Sequence, residues 1–334
     1  MRLQKKQKMQ PVPNQERNDQ GAILVITLLI IAALTALTLA FSEESRVELN
    51  LAQFSRETLQ ARQMAAAGFN LVLTEIDKPD DVKNKEIEET KRDWSQLGPL
   101  TFPDPLPDGI TVEARYLDES GKINLDFLYQ KLKENKETDV KQMKEQLGRL
   151  FTTLGIEEAA SLVDPLVDWL DADSETGFMG AEDDYYQGLP NPYPCANGPL
   201  LTIDQIFLIK GFEELKLEAG GGEKKITDFL TLYGNKDGKI DINAAPPEVL
   251  RSLGEEVDVD AILRLREEKG QITKQEIKDF GIDLNKVIDH SDKTDRSYLV
   301  EIKVKVQEAE VHLKALVKQV KDKKVKEIIY WRII

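Results

Sequence analysis

The chain has 334 residues, which is enough for two or three small units with their own cores. A net charge of −15 and an aromatic content of 7% argue against general nucleic-acid binding, because that function needs basic surfaces and often stacking aromatics. The single cysteine excludes a disulfide within the chain, and the presence of only two histidines argues against a histidine-rich zinc or catalytic site.

The N-terminal segment is a basic leader followed by an uncharged run. Residues 2–20 carry five basic and two acidic side chains. The next segment, Gly21 to Phe41, carries no charge and as a helix would cross ~30 Å of hydrocarbon. A secretory signal peptide or a plain single-pass anchor is the alternative, but a signal peptide usually has an apolar region of only about 7–15 residues. The basic leader predicts a cytoplasmic N-terminus and an exported remainder.

The helical pattern continues beyond this apolar run and reaches Lys78 without a proline. A single helix over residues 22–77 would be about 85 Å long. Its outer half is amphipathic and is predicted to pack one apolar stripe on a globular domain. The apolar residues that recur at helical spacing are Val47, Leu51, Phe54, Met64, Ala65, Phe69, Val72 and Ile76.

A basic leader that ends in glycine, an apolar helix and an amphipathic continuation together resemble the class III signal peptides of type IV pilins and pseudopilins. The stretch QARQMAAAGFNLVLTEI resembles a segment of the same family. The resemblance implies that a prepilin peptidase cuts after Gly21 and that the new N-terminus, Ala22, is methylated. Most pilins carry glutamate at the fifth mature position, where this chain has Ile26. Pseudopilins of the K subfamily share that departure.

The exported part begins with a proline-punctuated connector, Lys78 to Pro107. The alternation Ile110, Val112, Ala114 and Tyr116 then predicts a strand. Helices are predicted at 131–148 and 153–170, followed by a loop at 172–199 and a short apolar segment at 200–210 that Thr202 and Asp204 cap. A further helix is predicted at the Pro246–Pro247 pair, and two more short helices at 255–281.

The C-terminal tail is predicted to return to strands, with Tyr298, Val300, Ile302, Val304 and Val306 on one face, a turn at Lys321–Lys324 and Trp331 closing the sheet. SGKINLD at 120–126 and DGKIDIN at 237–243 form a weak repeat, predicted to place an edge-type strand after each glycine turn.

The predicted fold class is α+β, with a long N-terminal transmembrane and stalk helix, a small pilin-like antiparallel sheet and a large inserted helical domain that contains a helix-hairpin-helix-like part. The predicted segments are a leader at 1–21, a transmembrane helix at 22–41, its periplasmic continuation at 42–78, the first part of the α/β domain at 79–125, the helical insertion at 126–290 and the strands that complete the sheet at 291–334.

The motifs LVDPLVDWLDADSETGFMGAEDDYY, CANGPLLTIDQIFLIKGF and INAAPPEVL resemble the K subfamily of type II secretion minor pseudopilins, and the resemblance covers nearly the whole chain. It implies a single-pass inner-membrane protein with a cytoplasmic N-terminus and a periplasmic C-terminal domain. It further implies a tip subunit that helps to start pseudopilus assembly and protein export across the outer membrane. The implied partners are minor pseudopilins of the I and J type, through them the major pseudopilin, and the prepilin peptidase.

An acidic loop is the strongest candidate for a ligand site. Asp171, Asp173 and Glu175 alternate and Glu182 follows, which is the carboxylate spacing of an EF-hand. The loop departs from an EF-hand because Thr176 stands where glycine is required. The resemblance to K pseudopilins implies calcium in this region, carried over to Asp171, Asp173, Glu175, Glu182 and Asp183. A solvated acidic loop is the alternative.

The carboxylates that flank this loop have more than one possible role. Asp164 and Asp168, one helical turn earlier, either assist the ion or face solvent. Asp237 and Asp241 are weaker candidates, expected to be a turn residue and a solvent-facing strand residue.

The sequence has features of two other functional classes. The segment INAAPPEVL and the helices after it resemble a helix-hairpin-helix unit, so a membrane-anchored DNA-uptake protein is the alternative function. Against it, residues 243–290 hold eleven acidic and seven basic side chains and lack paired G-x-G hairpins. Catalysis is disfavoured because G-x-S-x-G, a Walker loop and H-E-x-x-H are all missing from the sequence. We therefore expect a structural subunit rather than an enzyme or a nucleic-acid-binding protein.

Overall fold

The computed structural model describes residues 19–76, 78, 96–97, 106, 108–156, 158–213, 215, 217–219, 222–289, 292, 294–320 and 326–333. The leader up to residue 18, nearly all of the predicted connector and the predicted turn at 321–324 lie outside the described residues. The chain divides into two units, Met1–Gln60 and Ala61–Ile334, which are treated separately.

One helix, Asp19–Ile76, provides all the described residues of the first unit and continues into the second. From Gly21 onward it is long and apolar enough to cross a membrane, judged by length and composition, and no other helix in the described ranges meets that test. The hydroxyls of Thr27 and Thr35 donate to carbonyls one turn back, so these polar side chains are satisfied within the helix. Val47, Leu51 and Phe54 are exposed.

A five-stranded antiparallel sheet forms one layer of the second unit. The Ile110–Asp118 strand pairs with Arg296–Val306, which pairs with Ala309–Gln319, and the outer positions are taken by Gln96–Leu97 and Lys326–Ile333. The two paired strands Ile110–Asp118 and Arg296–Val306 lie far apart in the sequence of the second unit. The long intervening segment is therefore inserted into the sheet, and the predicted α+β fold class is confirmed.

Alternation of apolar and polar residues creates the sheet core, since successive strand side chains point to opposite faces. Every second residue from Tyr298 to Val306 is buried, as the sequence predicts. The last turns of the N-terminal helix share this core through Ala61, Ala65, Phe69, Val72 and Ile76. The predicted apolar stripe is thus confirmed for the C-terminal part of the helix, where its residues pack on the sheet. Trp331 packs edge-on against Phe69 with ring centroids 4.6 Å apart.

The inserted segment is built from short helices around a second core. That core includes Leu147, Phe151, Leu166, Tyr186 and Phe212. The α-helices are Leu125–Lys133, Glu137–Thr153, Ala160–Leu170, Asp183–Gln187, Pro247–Ser252 and Val259–Lys269. The 3-10 helices are Glu119–Gly121, Ile203–Leu208, Ile226–Asp228, Lys274–Ile277 and Leu284–Lys286.

Short strand pairs contain both strands of the repeat. Ile123–Asn124 pairs in parallel with Leu230–Thr231, and Ile240–Asp241 pairs in parallel with Val287–Ile288; Leu217–Ala219 and Gly222–Lys224 form an antiparallel pair. Each strand of the repeat has one partner strand, so each is an edge strand as predicted, and both are buried. Their polar residues fix local turns: Asn124, for example, accepts a hydrogen bond from the amide of Asp126. The repeat therefore marks two buried turns of the helical region.

Two predicted boundaries differ for local reasons. The predicted helix at 153–170 begins only at Ala160, because the preceding helix ends at Thr153 and Gly155 adopts φ 82°. A glycine in the left-handed region just after a helix is a common stop, since it has no Cβ to clash there. The predicted loop at 172–199 contains the short helix Asp183–Gln187.

A buried ion-pair network joins the sheet to the helical region. Arg296, at the start of a central strand, bonds to Asp118 at 2.9 Å and to Asp241 at 2.6 Å. Asp241 is fully buried, which corrects the expectation that it faces solvent. Burial raises the pKa of Asp241, and the guanidinium of Arg296 opposes that rise.

Candidate metal centre

Two helix ends bring the acidic loop together. The Ala160–Leu170 helix ends at its C-cap Asp171, and the Asp183–Gln187 helix begins just after its N-cap Glu182. Both cap residues have extended backbones, so the chain leaves one helix and enters the next abruptly. The loop between these ends carries Asp173 and Glu175.

Asp168, in the last turn of the first helix, organises this loop. Its carboxylate accepts hydrogen bonds from the amides of Gly177, at 3.0 Å, and Ala181, at 2.8 Å. Gly180 passes so close that a Cβ there would overlap Oδ2 of Asp168. Asp164 adds a 3.3 Å bond from the amide of Met179. Asp168 is 3% exposed, so it is a buried structural residue, a role that the sequence left open.

Three of the five predicted ligand residues converge. Asp171, Asp173 and Glu182 each offer a carboxylate oxygen, and these oxygens all lie within 4.8 Å of one another. Ca²⁺–oxygen distances are 2.3–2.6 Å, so oxygens on opposite sides of one ion would be about 4.8 Å apart. The spacing therefore fits a shared cation of this size.

The remaining two predicted ligands lie outside this group. Glu175 has an exposed side chain, and its amide donates to Oδ1 of Asp173 at 2.8 Å. Asp183 accepts a 2.7 Å hydrogen bond from the amide of Cys195. Both residues thus take part in the hydrogen bonding of the loop.

Three buried carboxylate oxygens at the centre have no hydrogen-bond partner of normal geometry among the described residues: Oδ1 of Asp171 and both oxygens of Glu182. The weakly donating thiol of Cys195 lies close enough to Glu182 to lower its pKa, against the effect of burial. Carboxylates are costly to bury unless a cation or a donor compensates them. Burial raises the pKa of Asp171 to about 7, and the charges of Asp173 and Glu182 contribute. Burial also raises the pKa of Glu182. The carboxylates of Asp171, Asp173 and Glu182 therefore repel one another, and a cation between them would relieve this repulsion.

The sequence around the site supplies no such counter-charge, because residues 150–209 contain no lysine, arginine or histidine. The lysines on either side are engaged elsewhere. Lys144 pairs with Asp164 at 3.0 Å, and Nζ of Lys210 donates to the carbonyls of Met179 and Gly180. A bound cation would balance the charge that these side chains leave uncompensated.

Asn197 is a further oxygen donor that sequence reasoning missed. Its Nδ2 donates to the carbonyl of Asp173 at 2.7 Å, while its Oδ1 is buried without a partner in the described part of the chain. Its φ of 42° is left-handed, a conformation that asparagine tolerates better than most residues. From the sequence alone, the motif CANG predicts a tight turn, because asparagine and glycine favour turns, but it does not predict a ligand.

The thiol of Cys195 is protonated in the cation-free protein. Burial, reinforced by the charge of Glu182, raises the pKa of the thiol to about 11, so it stays protonated at neutral pH. A thiol must lose its proton to bind a metal well. The oxygens of Asp171, Asp173 and Glu182 therefore define the site, and oxygen ligands suit a hard cation such as calcium.

The helix-hairpin-helix-like segment uses several of its basic residues internally. Arg266 is buried and donates to the carbonyls of Ala245 and Ile242. Lys269 pairs with Glu276 at 2.6 Å, and Arg251 lies 3.5 Å from Asp260. These basic side chains are therefore engaged in contacts within the segment, as in a module that packs inside the protein.

The predicted processing site lies near the start of the N-terminal helix. Gly21 and Ala22 follow the helix start at Asp19 by two and three residues, and both are exposed. A Cβ added to Gly21 would meet no atom of the described chain within 4 Å.

Comparisons with known proteins connect these features. Residues 121–219 match a family model described as "Type II secretion system (T2SS), protein K". The type II secretion system protein K of Pseudomonas aeruginosa is 27% identical over 246 residues, which cover 72% of this chain and 69% of the relative. The protein of that name from Pectobacterium carotovorum is 29% identical over 202 residues, covering 58% of this chain and 59% of the relative.

A solved structure has the same fold. It is the crystal structure of the GspK-GspI-GspJ complex from the type 2 secretion system of enterotoxigenic Escherichia coli. One of its chains aligns with a TM-score of 0.52 at 18% identity, covering 84% of this chain and 98% of that one. The family model spans the acidic loop, and with these relatives it shows that the chain is similar to type II secretion system protein K.

Proposed function

We propose that this chain acts as a minor pseudopilin of a type II secretion system, as a structural subunit and not as an enzyme. One observation carries the proposal: the family match falls on residues 121–219, the inserted segment that holds the acidic loop. The same chain carries an apolar N-terminal helix and a small antiparallel sheet.

The proposed topology is a single pass through the inner membrane. Residues 1–21 form the cytoplasmic leader, 22–41 cross the membrane, and 42–78, 79–125, 126–290 and 291–334 lie in the periplasm. The basic leader and the acidic residues Glu43, Glu44 and Glu48 after the apolar run support this orientation under the positive-inside rule. In this proposal a prepilin peptidase cleaves after Gly21, and Ala22 becomes the methylated N-terminus.

The proposed position is the tip of the pseudopilus, where the chain helps to start assembly. A tip subunit has no subunit above it, so a glutamate at position 26 would be an unpaired charge in the bilayer, which costs roughly 2.5–3.5 kcal/mol on insertion scales. Ile26 avoids that cost. The proposed partners are minor pseudopilins of the I and J type, in keeping with the composition of the complex named above, and through them the major pseudopilin.

The proposed cofactor is one structural calcium ion held by Asp171, Asp173 and Glu182. Asn197 Oδ1, a buried and unpartnered amide oxygen, is the best further ligand that the described chain offers. Asp173 is exposed, so water can complete a shell of 6–8 oxygens. Glu175 and Asp183 support the loop in this proposal. The ion would tie the end of one helix to the start of the next.

Deletion and complementation in the source organism test the function. Loss of the chain should abolish export through the type II system, and the wild-type chain should restore it. A pull-down of residues 45–334 should recover small pilin-like proteins, and antibody against the helical region should label pseudopilus ends. Normal export without the chain would refute the proposal, recovery of DNA alone would favour the uptake alternative, and labelling along the whole filament would refute the tip position.

A further inference from the structure

Phe178 stands out among the aromatic residues of the second unit because it is 97% exposed. Phe151, Phe212 and Phe229 are all at most 1% exposed. Phe178 lies in the acidic loop between Asp173 and Glu182. Single exposed apolar residues are ordinary, so exposure alone carries no inference.

The backbone around Phe178 is held on both sides. The carboxylate of Asp168 accepts from the amides of Gly177 and Ala181, and Asp164 accepts from Met179. Nζ of Lys210 donates to the carbonyls of Met179 and Gly180 at 3.2 and 3.0 Å, and the amide of Gly180 donates to the carbonyl of Gly177 at 3.0 Å. The loop is therefore fixed when the protein folds. A preorganised aromatic loses little conformational entropy when a partner covers it.

The charge around Phe178 restricts what such a partner can be. Residues 150–209 contain no basic side chain, and Lys210, which lies beside the loop, is held by the carbonyls of Met179 and Gly180. Asp173, Glu175, Asp183 and Asp184, close to Phe178 in the sequence, are all exposed. The acidic side chains of the stretch are Glu157, Glu158, Asp164, Asp168, Asp171, Asp173, Glu175, Glu182, Asp183, Asp184 and Asp204. A single divalent cation would offset only two of these charges. Such a surface repels nucleic acid and anionic membranes and attracts basic protein surfaces.

We propose that Phe178 anchors a docking surface for another protein, and that this partner offers an apolar pocket bordered by lysine or arginine side chains. The apolar pocket would bury the ring, and the basic border would meet the exposed carboxylates around it. Aromatic anchors surrounded by polar contacts are the usual energetic centres of protein interfaces. The compartment in which the partner is met rests on the proposed function, while the surface itself does not.

The first test replaces Phe178 with the photo-crosslinking residue p-benzoylphenylalanine in the full-length chain, expressed in its own organism. Irradiation should give one dominant protein adduct, and the partner peptide that carries the crosslink should include apolar residues flanked by lysine or arginine. The same probe at Gln187, an exposed polar position, should not give that adduct. No adduct, a lipid adduct, or a crosslink to an acidic surface would overturn the proposal.

The second test measures the affinity of the crosslinked partner for the purified full-length chain in detergent. Phe178→Ala should weaken binding by roughly 30-fold or more, as expected for an interface hot spot, and added salt should weaken wild-type binding. Leu201→Ala is the matched control, because Leu201 is 74% exposed in the same acidic stretch and should change affinity by less than about threefold. Unchanged melting temperatures would show that both variants fold.

Binding of Phe178→Ala within about threefold of the wild-type affinity would refute the inference. Failure of the proposed function has a different signature. If export continued normally in a strain that lacks the chain, the secretion role would fall while a specific Phe178 adduct would still establish the docking surface.

Discussion

Oδ2 of Asp168 accepts a 2.8 Å hydrogen bond from the amide of Ala181, thirteen residues later. This bond holds the end of the loop against the last turn of the Ala160–Leu170 helix and so places Glu182 close to Asp171. Asp168→Asn keeps the shape of the side chain but presents an NH₂ group to one of the two backbone amides. We expect a loss of about 1–3 kcal/mol of stability, the usual cost of an unmatched buried polar group, in urea or thermal unfolding. Asp184→Asn, at an exposed position in the short helix that follows the loop, should unfold like the wild type.

Gly180→Ala tests the close approach to the same carboxylate. The added Cβ would overlap Oδ2 of Asp168, so the loop or the carboxylate must move. The variant should melt at a lower temperature than the wild type and should respond less to calcium. Gly148→Ala is the control, since nothing lies within 4 Å of a Cβ at this helical position. It should stabilise the protein by about 0.5–1 kcal/mol, because alanine favours helix. Equal melting of both variants would contradict the geometry of the loop.

Calcium should raise the melting temperature, and it should do so more at about pH 8 than at about pH 6. In the cation-free protein the pKa of Asp171 is raised to about 7, so the folded state holds a proton that the unfolded chain releases near its ordinary value. That stabilising contribution is present at low pH and is lost as the pH rises through about 7. Calcium replaces the proton, and a hundredfold excess over Kd would contribute ~2.7 kcal/mol.

Differential scanning calorimetry with calcium or EDTA at both pH values checks this prediction. Asp173→Ala removes one carboxylate and should lose most of the calcium-dependent shift, while Asp237→Ala, outside the site, should keep it. A wild-type shift that is the same at both pH values would mean that Asp171 does not compete with the ion, and no shift at all would exclude the calcium site.

Arg296→Met should be far more destabilising than loss of a surface ion pair. It leaves the fully buried Asp241 and the nearly buried Asp118 without the guanidinium that compensates them, and breaking one side of a buried pair costs about 3–5 kcal/mol. Arg115→Met is the control: Arg115 is half-exposed and pairs with Glu301, so the loss should be at most about 1 kcal/mol. Because burial raises the pKa of Asp241, the Arg296→Met deficit should shrink as the pH falls and the carboxyl is protonated. Chemical unfolding at several pH values measures both effects.

Processing at Gly21 should leave a mature chain that begins with a methylated Ala22. The motivation is the position of Gly21 between a basic leader and an apolar helix, where a peptidase at the cytoplasmic face can reach it. Intact-mass analysis of membrane-extracted protein gives the answer directly. An N-terminus near Phe41 would instead identify a secretory signal peptide, and an uncleaved chain would identify a plain anchor.

The fold class was predictable because its signals are periodic. The strand Tyr298–Val306 repeats every two residues, and the helix from Gly21 keeps apolar residues at helical spacing into Phe69 and Ile76. Contacts between distant segments were not predictable. Asp241 was predicted to face solvent because charged residues usually do. Its partner Arg296 is 55 residues away in the sequence and reaches it only through the tertiary fold.

The candidate site was predictable in the same uneven way. The spacing of Asp171, Asp173 and Glu182 carried the EF-hand signal, and these three side chains converge. Asp183 lies in the same acidic stretch, but its carboxylate accepts a hydrogen bond from the amide of Cys195. Asn197 contacts the loop through the carbonyl of Asp173, and no spacing motif predicts that contact. Local composition identified the loop, and only the fold sorted its side chains.

The insertion between the two central strands has a consequence for the order in which the protein acquires its structure. Arg115 and Glu301 face each other across these strands although they lie 186 residues apart in the sequence. Closing so long an unfolded loop is slow, whereas a helical region that has already condensed around its own core holds the two strand ends near each other. We expect the sheet to wait for the insertion, so that a single-tryptophan variant retaining Trp331 refolds more slowly when EDTA is present. Under the topology and the calcium site proposed above, the sheet strands would stay unpaired after the chain has crossed the membrane until the insertion folds. Periplasmic calcium would then shorten that time.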